Sequence, residues 1–78
     1  MSESKTEIEA VIVDLVRKKR ESLKKRQKDI SQILGVTVGY IGQIESTKSK
    51  SMYSYDQLNL IAKEFGCSPK DFMPEKPV

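Results

Sequence analysis

Residues 27–45 read Gln27-Lys28-Asp29-Ile30-Ser31-Gln32-Ile33-Leu34-Gly35-Val36-Thr37-Val38-Gly39-Tyr40-Ile41-Gly42-Gln43-Ile44-Glu45. Ile30, Ile33 and Leu34 recur at helical spacing, and Gly35 is the residue best suited to the left-handed conformation that stops a helix. Thr37 then offers an N-cap oxygen to a second short helix, in which Ile41 and Ile44 point inward at i, i+3. At about 100° per residue, Val38, Gly39, Gly42, Gln43 and Ser46 share the opposite face. That face carries almost no apolar bulk and almost no charge. The segment is thus two short helices joined by Gly35-Val36-Thr37.

Upstream, Ile8, Val11, Ile12, Leu15 and Val16 draw an apolar stripe along an earlier helix. Lys19 interrupts this stripe and Leu23 resumes it. No Gly or Pro occurs from Arg17 to Leu34, so the break before the second helix is expected within Ser22 to Arg26. Downstream, Thr47 to Tyr53 is a polar loop, with Tyr53 and Tyr55 expected to anchor it. Ser54-Tyr55-Asp56-Gln57 fits a capping box. It opens a helix with Leu58, Ile61, Ala62 and Phe65 on one face and Gly66 as its stop. Ser68-Pro69-Lys70-Asp71 begins a last turn, with Pro69 at its first helical position. Phe72 and Met73 are expected to fold back onto the core. No β-type alternation of useful length appears, so the fold class is all-α, a small bundle of four to five helices. One domain over 1–78 is expected, with its core at about 8–73 and flexible tails at 1–6 and 74–78.

Composition narrows the function. A chain of 78 residues, 37% hydrophobic, suits one small domain with a modest core and no large substrate cavity. It has no His and a single Cys, Cys67, which removes His/Cys metal sites, disulfides and His-dependent nucleophiles. No enzyme, cofactor or metal is therefore expected, and Cys67 reads as a buried, inert thiol. The longest apolar run, Ala10 to Val13, is far too short for a membrane span, and residues 1–7 lack a signal-peptide core. A cytoplasmic protein without membrane partners is expected.

The net charge of +3 conceals an uneven distribution. Arg17, Lys18, Lys19, Arg20, Lys24, Lys25, Arg26 and Lys28 stand against one acid, Glu21, a local +7 that leaves −4 for the remainder. Such a segment attracts polyanions. A solvated helix face is the other reading of a charge run.

Two short helices across a three-residue turn are the layout of a helix-turn-helix, whose second member enters the DNA major groove. The segment 27–45 resembles the Cro/repressor-like (Xre-type) family in its Q-x-x-[LI]-[AS]-x-x-L-G-[VT]-[ST] half and in Ile41, Ile44 and Glu45. Leu58-x-x-Ile61-Ala62-x-x-Phe65-Gly66-Cys67-Ser68 and Phe72 are similar to that family's closing helices, so the resemblance spans about Val16 to Met73. It implies a lambda repressor-like fold and binding to double-stranded DNA, as a repressor-type regulator of transcription. It further implies a homodimer on a two-fold-related operator.

On the same resemblance, Val38, Gly39 and Gln43 match base-reading positions. Val38 suits a thymine methyl, and the Gln43 amide suits adenine N6 and N7. Gln27 matches a phosphate-binding glutamine. Ser46, Lys48 and Lys50 match a phosphate-binding loop, while Lys25, Arg26 and Lys28, together with Lys24, supply the field around it. Tyr40 either donates to a phosphate or packs beside the second helix. Arg20 and Glu45 match a structural ion pair.

The chain also departs from the family. Lys24, Arg26 and Thr47 stand where relatives usually have Gly, Ser and Gly, and the segment after Glu45 is a few residues longer. With the chain used up by this fold, no small-molecule effector is expected. Leu60, Phe72, Met73 and the stripe from Ile8 to Val16 are candidates for a dimer interface. The alternative function is that of an antitoxin or adaptor-type helical domain whose main role is to bind a protein partner.

Overall fold

The computed structural model describes residues 4–78, and within them the chain forms four α-helices and a closing 3-10 turn, with no strand. The helices are α1 (Glu7–Ser22), α2 (Gln27–Leu34), α3 (Val38–Glu45) and α4 (Tyr55–Phe65), and the turn is Pro69–Phe72. Residues 1–3 of the expected amino-terminal tail lie outside the described residues.

Each helix start has a local cause. Thr6 caps α1 reciprocally: its hydroxyl accepts from the Glu9 amide at 3.3 Å, and its own amide donates to the Glu9 carboxylate at 2.9 Å. These hydrogen bonds hold the Glu9 carboxyl below its ordinary value. Thr37 accepts from the Tyr40 amide at 3.1 Å, and Ser54 and Gln57 form the expected capping box of α4. At α2, Asp29 accepts from the Arg26 amide at 2.7 Å, but the Arg26 side chain offers no oxygen to the first turn.

Three helices end in the same way. Gly35 (φ 68°), Gly66 (φ 71°) and Lys24 (φ 57°) are all left-handed. The amide just after the left-handed residue then returns to the preceding turn, as Val36 to Ser31 at 3.0 Å, Cys67 to Ala62 at 2.9 Å and Lys25 to Arg20 at 2.9 Å. Lys24 fills this role in place of a glycine, which locates the break hidden in Ser22 to Arg26.

The core gathers Ile12, Val13, Val16, Ile30, Ile41, Ile44, Tyr53, Leu58, Ile61, Ala62, Phe65 and Phe72. α2 packs against α3 and α4, while α1 lies across α3 and the closing turn. The inward face of α1 is Ile12, Val13, Val16 and Arg20, rotated from the stripe drawn on the sequence. Ile8 is 45% exposed, Val11 and Leu15 are half-buried, and Leu23 does not resume the stripe. The reason is that a paired Arg20 continues the inner face, so Lys19 interrupts nothing. Phe72 is fully buried as expected, but Met73 is exposed because the backbone turns extended there. Tyr53 anchors the α3–α4 loop from inside the core, whereas Tyr55, 82% exposed, anchors nothing. The packed part of the chain begins before residue 8, since Thr6 caps α1 and Lys5 reaches across to the α3–α4 loop.

Candidate nucleic-acid interface

Behind α3 sits a polar junction that ties three helices together. The Arg20 guanidinium donates from Nε to Glu45 Oε2 at 3.1 Å and from Nη2 to Glu45 Oε1 at 2.9 Å, a bidentate pair. Its Nη1 donates to the Lys25 carbonyl at 3.0 Å, in the link between α1 and α2. Gln27 Nε2 donates to the same Glu45 Oε1 at 3.0 Å. The Arg20 and Glu45 side chains are only 11% and 6% exposed. The last turn of α1, the first residue of α2 and the last residue of α3 therefore share one hydrogen-bonded carboxylate.

Gln27, expected at a phosphate, thus has one amide hydrogen committed to Glu45 in the free protein. Its Oε1 lies 3.7 Å from where a Cβ on Gly42 would stand, so Gly42 belongs to the α2–α3 crossing and not to the open face. Beside the junction, the buried Tyr53 hydroxyl has no hydrogen-bond partner among the described residues. Burial first, and the neighbouring Glu45 carboxylate second, push its pKa well above the ordinary phenol value.

The outer face of α3 is open. Val38, Gly39 and Gln43 are exposed together, Val38 by 44%, and only Thr37 Oγ1, at 3.9 Å, lies near a Cβ placed on Gly39. Tyr40 is half-buried against the core, on the flank of that face. Ser46 is half-buried, and its hydroxyl accepts from the Lys48 amide at 3.2 Å, which folds it into its own loop. Lys48 and Lys50 are exposed on that loop.

The basic run does not form a single patch. Arg17 and Lys18 pair with Asp14 at 2.7 and 3.0 Å and hold its carboxyl below the usual range. Arg20 is interior. Lys24, Arg26 and Lys28 are exposed around the amino end of α2. Lys25, also exposed, lines a shallow depression with Asp29, Gln32, Ile33, Glu64 and Phe65, on the α4 side of α2. Cys67 is half-buried, not fully buried, and desolvation raises its thiol pKa above the ordinary value.

The sequence reading missed Lys5. Its ammonium donates to the Ser46 carbonyl at 2.8 Å and to the Ser49 carbonyl at 2.7 Å. Desolvation lowers its pKa below that of an ordinary lysine. No local pattern announces a contact across 41 residues. The Thr6 capping box had a legible signal, Thr6-x-x-Glu9, directly ahead of the apolar stripe.

This arrangement can present a short, uncharged helix face to a groove, braced from behind and flanked by lysines. Among the described residues no cluster of His, Cys, Asp or Glu could hold a metal ion, and no helix is long and apolar enough to cross a membrane. A family model described as helix-turn-helix matches residues 16–72. Comparison with curated proteins gives no match, and comparison with solved structures gives none.

Proposed function

The chain belongs to the Cro/C1-type, Xre-like helix-turn-helix family of DNA-binding transcription regulators, and on that premise we propose that it is a sequence-specific repressor that binds a two-fold-related operator as a homodimer. The observation that carries the reading is the exposed Val38-Gly39-Gln43 face on a helix whose far end is pinned by the buried Arg20–Glu45–Gln27 junction. A helix braced in this way enters the major groove without reorganising, so little ordering cost is charged against binding.

Gln43 and Val38 are the reading residues, toward adenine and a thymine methyl. Two informative side chains leave a large share of specificity to DNA shape and phosphate contacts. Lys24, Arg26, Lys28, Lys48 and Lys50 supply those phosphate contacts, together with the remaining amide hydrogen of Gln27.

The molecule measures 35 × 29 × 21 Å. Two copies side by side therefore suit half-sites about 34 Å apart, one helical turn of DNA. Of the candidate interface residues, Ile12, Val16 and Phe72 are used in the core, whereas Ile8, Leu60 and Met73 remain exposed. Ile8 and Met73 line one apolar depression with Met52 and Tyr55, and this is the surface we assign to self-association.

The test is titration against random duplex and then selected sequences at several salt concentrations. With about five phosphates neutralised per subunit, log K falls with log salt at a slope of about −4 to −5 per subunit. No duplex affinity at low salt overturns the reading.

A further inference from the structure

α3 ends differently from the other helices. α1, α2 and α4 each close through a left-handed residue, but α3 passes into an extended Ser46 (φ −78°, ψ 133°), and its last turn contains no basic residue. Thr47 does not take up a left-handed conformation either. The carboxyl end of a helix is its negative pole and leaves carbonyls in need of donors. Lys5 places a cation near that pole from outside the element: its ammonium donates to the carbonyls of Ser46, the residue after α3, and Ser49, whose amide also donates to Ser46 at 3.4 Å, and so it bridges the exit of the helix and the loop. Lys48 and Lys50 flank Ser49 on that loop, and Lys5 itself lies outside the family match at residues 16–72.

We propose that Lys5 is a positioning residue for DNA binding: it clamps the exit of α3 to the 46–50 loop so that Lys48 and Lys50 stand beside the recognition helix. This rests on the DNA-binding function proposed above. Lys5 acts through the loop and not on the nucleic acid, because two of its three N–H donors are committed to carbonyls.

The experiment compares wild type, Lys5→Met and Lys5→Arg for affinity to random duplex, each also in a Lys48→Ala/Lys50→Ala background. Lys5→Met is expected to weaken binding about tenfold and to flatten the salt slope by about 1, and Lys5→Arg to stay within about twofold of wild type. In the double-alanine background Lys5→Met is expected to change affinity less than about twofold. Hydrogen exchange at the Ser49 and Ser51 amides is expected to quicken in Lys5→Met and to recover in Lys5→Arg, with the Ile61 amide unchanged as a check on folding.

A loss that persists undiminished without Lys48 and Lys50 overturns the proposal, since Lys5 would then be touching DNA itself. Unchanged affinity or unchanged loop exchange in Lys5→Met overturns it as well. If wild type itself binds no duplex, the parent reading fails first and takes this one with it.

Discussion

Glu45 is the residue on which most of the local architecture converges. It accepts from Arg20 twice and from Gln27 once, nearly out of contact with water. Removing one member of such a pair strands a buried charge, whereas removing both is far milder. Arg20→Met is expected to lower unfolding stability by about 3–5 kcal/mol, and adding Glu45→Met to restore much of that loss. Denaturant melts of the two single variants and the double close the cycle. Negligible losses in both single variants would show the junction to be dispensable. Gln43 carries a different role at the same scale. Gln43→Ala is expected to cost about 1–3 kcal/mol at one base pair and to relax preference there, whereas Lys28→Ala weakens every duplex alike. Binding to a panel of single-base operator variants separates the two, and identical profiles would refute the division into reading and positioning residues.

At the scale of elements, the link between α1 and α2 carries a visible cost. Lys24 adopts φ 57° where Gly35 and Gly66 end their helices without a side chain. A left-handed non-glycine residue costs roughly 1–2 kcal/mol, part of which glycine returns through its freer unfolded chain. Lys24→Gly is therefore expected to raise stability by about 0.5–1 kcal/mol, seen as a higher denaturant midpoint at unchanged m-value. Since it also removes an exposed cation near the amino end of α2, duplex affinity should fall while stability rises. A fall in both would mean that Lys24 packs against something more than its backbone geometry implies. α1 responds to acid through its own start. The Glu9 and Asp14 carboxyls are both held below their ordinary values. Their contribution is present above about pH 4 and is lost as pH falls through the depressed values. Thr6→Ala keeps the backbone amide that donates to Glu9 and loses only the hydroxyl, so it should reduce but not abolish Glu9's share of that acid sensitivity in pH-dependent melts.

For the whole molecule, the division of surfaces is the main result. The basic run separates into ion pairs with Asp14, a buried bridge to Glu45 and an exposed group around α2, so the charge facing outward is smaller and better placed than the local +7 implies. Away from it, Ile8, Tyr55 and Met73 rim an apolar depression. Ile8→Glu or Met73→Glu is expected to shift the sedimentation equilibrium toward monomer and to weaken operator binding, with random-duplex affinity per subunit nearly unchanged. Unaltered self-association in both variants would move the interface to Leu60 and the rest of the α4 surface.

The helix ends around the recognition element were legible in the sequence because their causes are local. Thr37, Ser54 with Gln57, Gly35 and Gly66 act within a few residues of themselves, and Ile41, Ile44, Leu58, Ile61 and Ala62 repeat at the period of a helix. Tertiary structure alone decided which way α1 turns its face, since a charged Arg20 becomes an inner residue only when Glu45, 25 residues away, meets it. It also decided that Gln27 serves Glu45, that Gly42 sits against Gln27, and that Lys5 ties Ser46 to Ser49 just beyond α3. Local propensity and periodicity report a residue's neighbours along the chain. A hydrogen bond across 41 residues depends on a loop path that only the packed molecule defines.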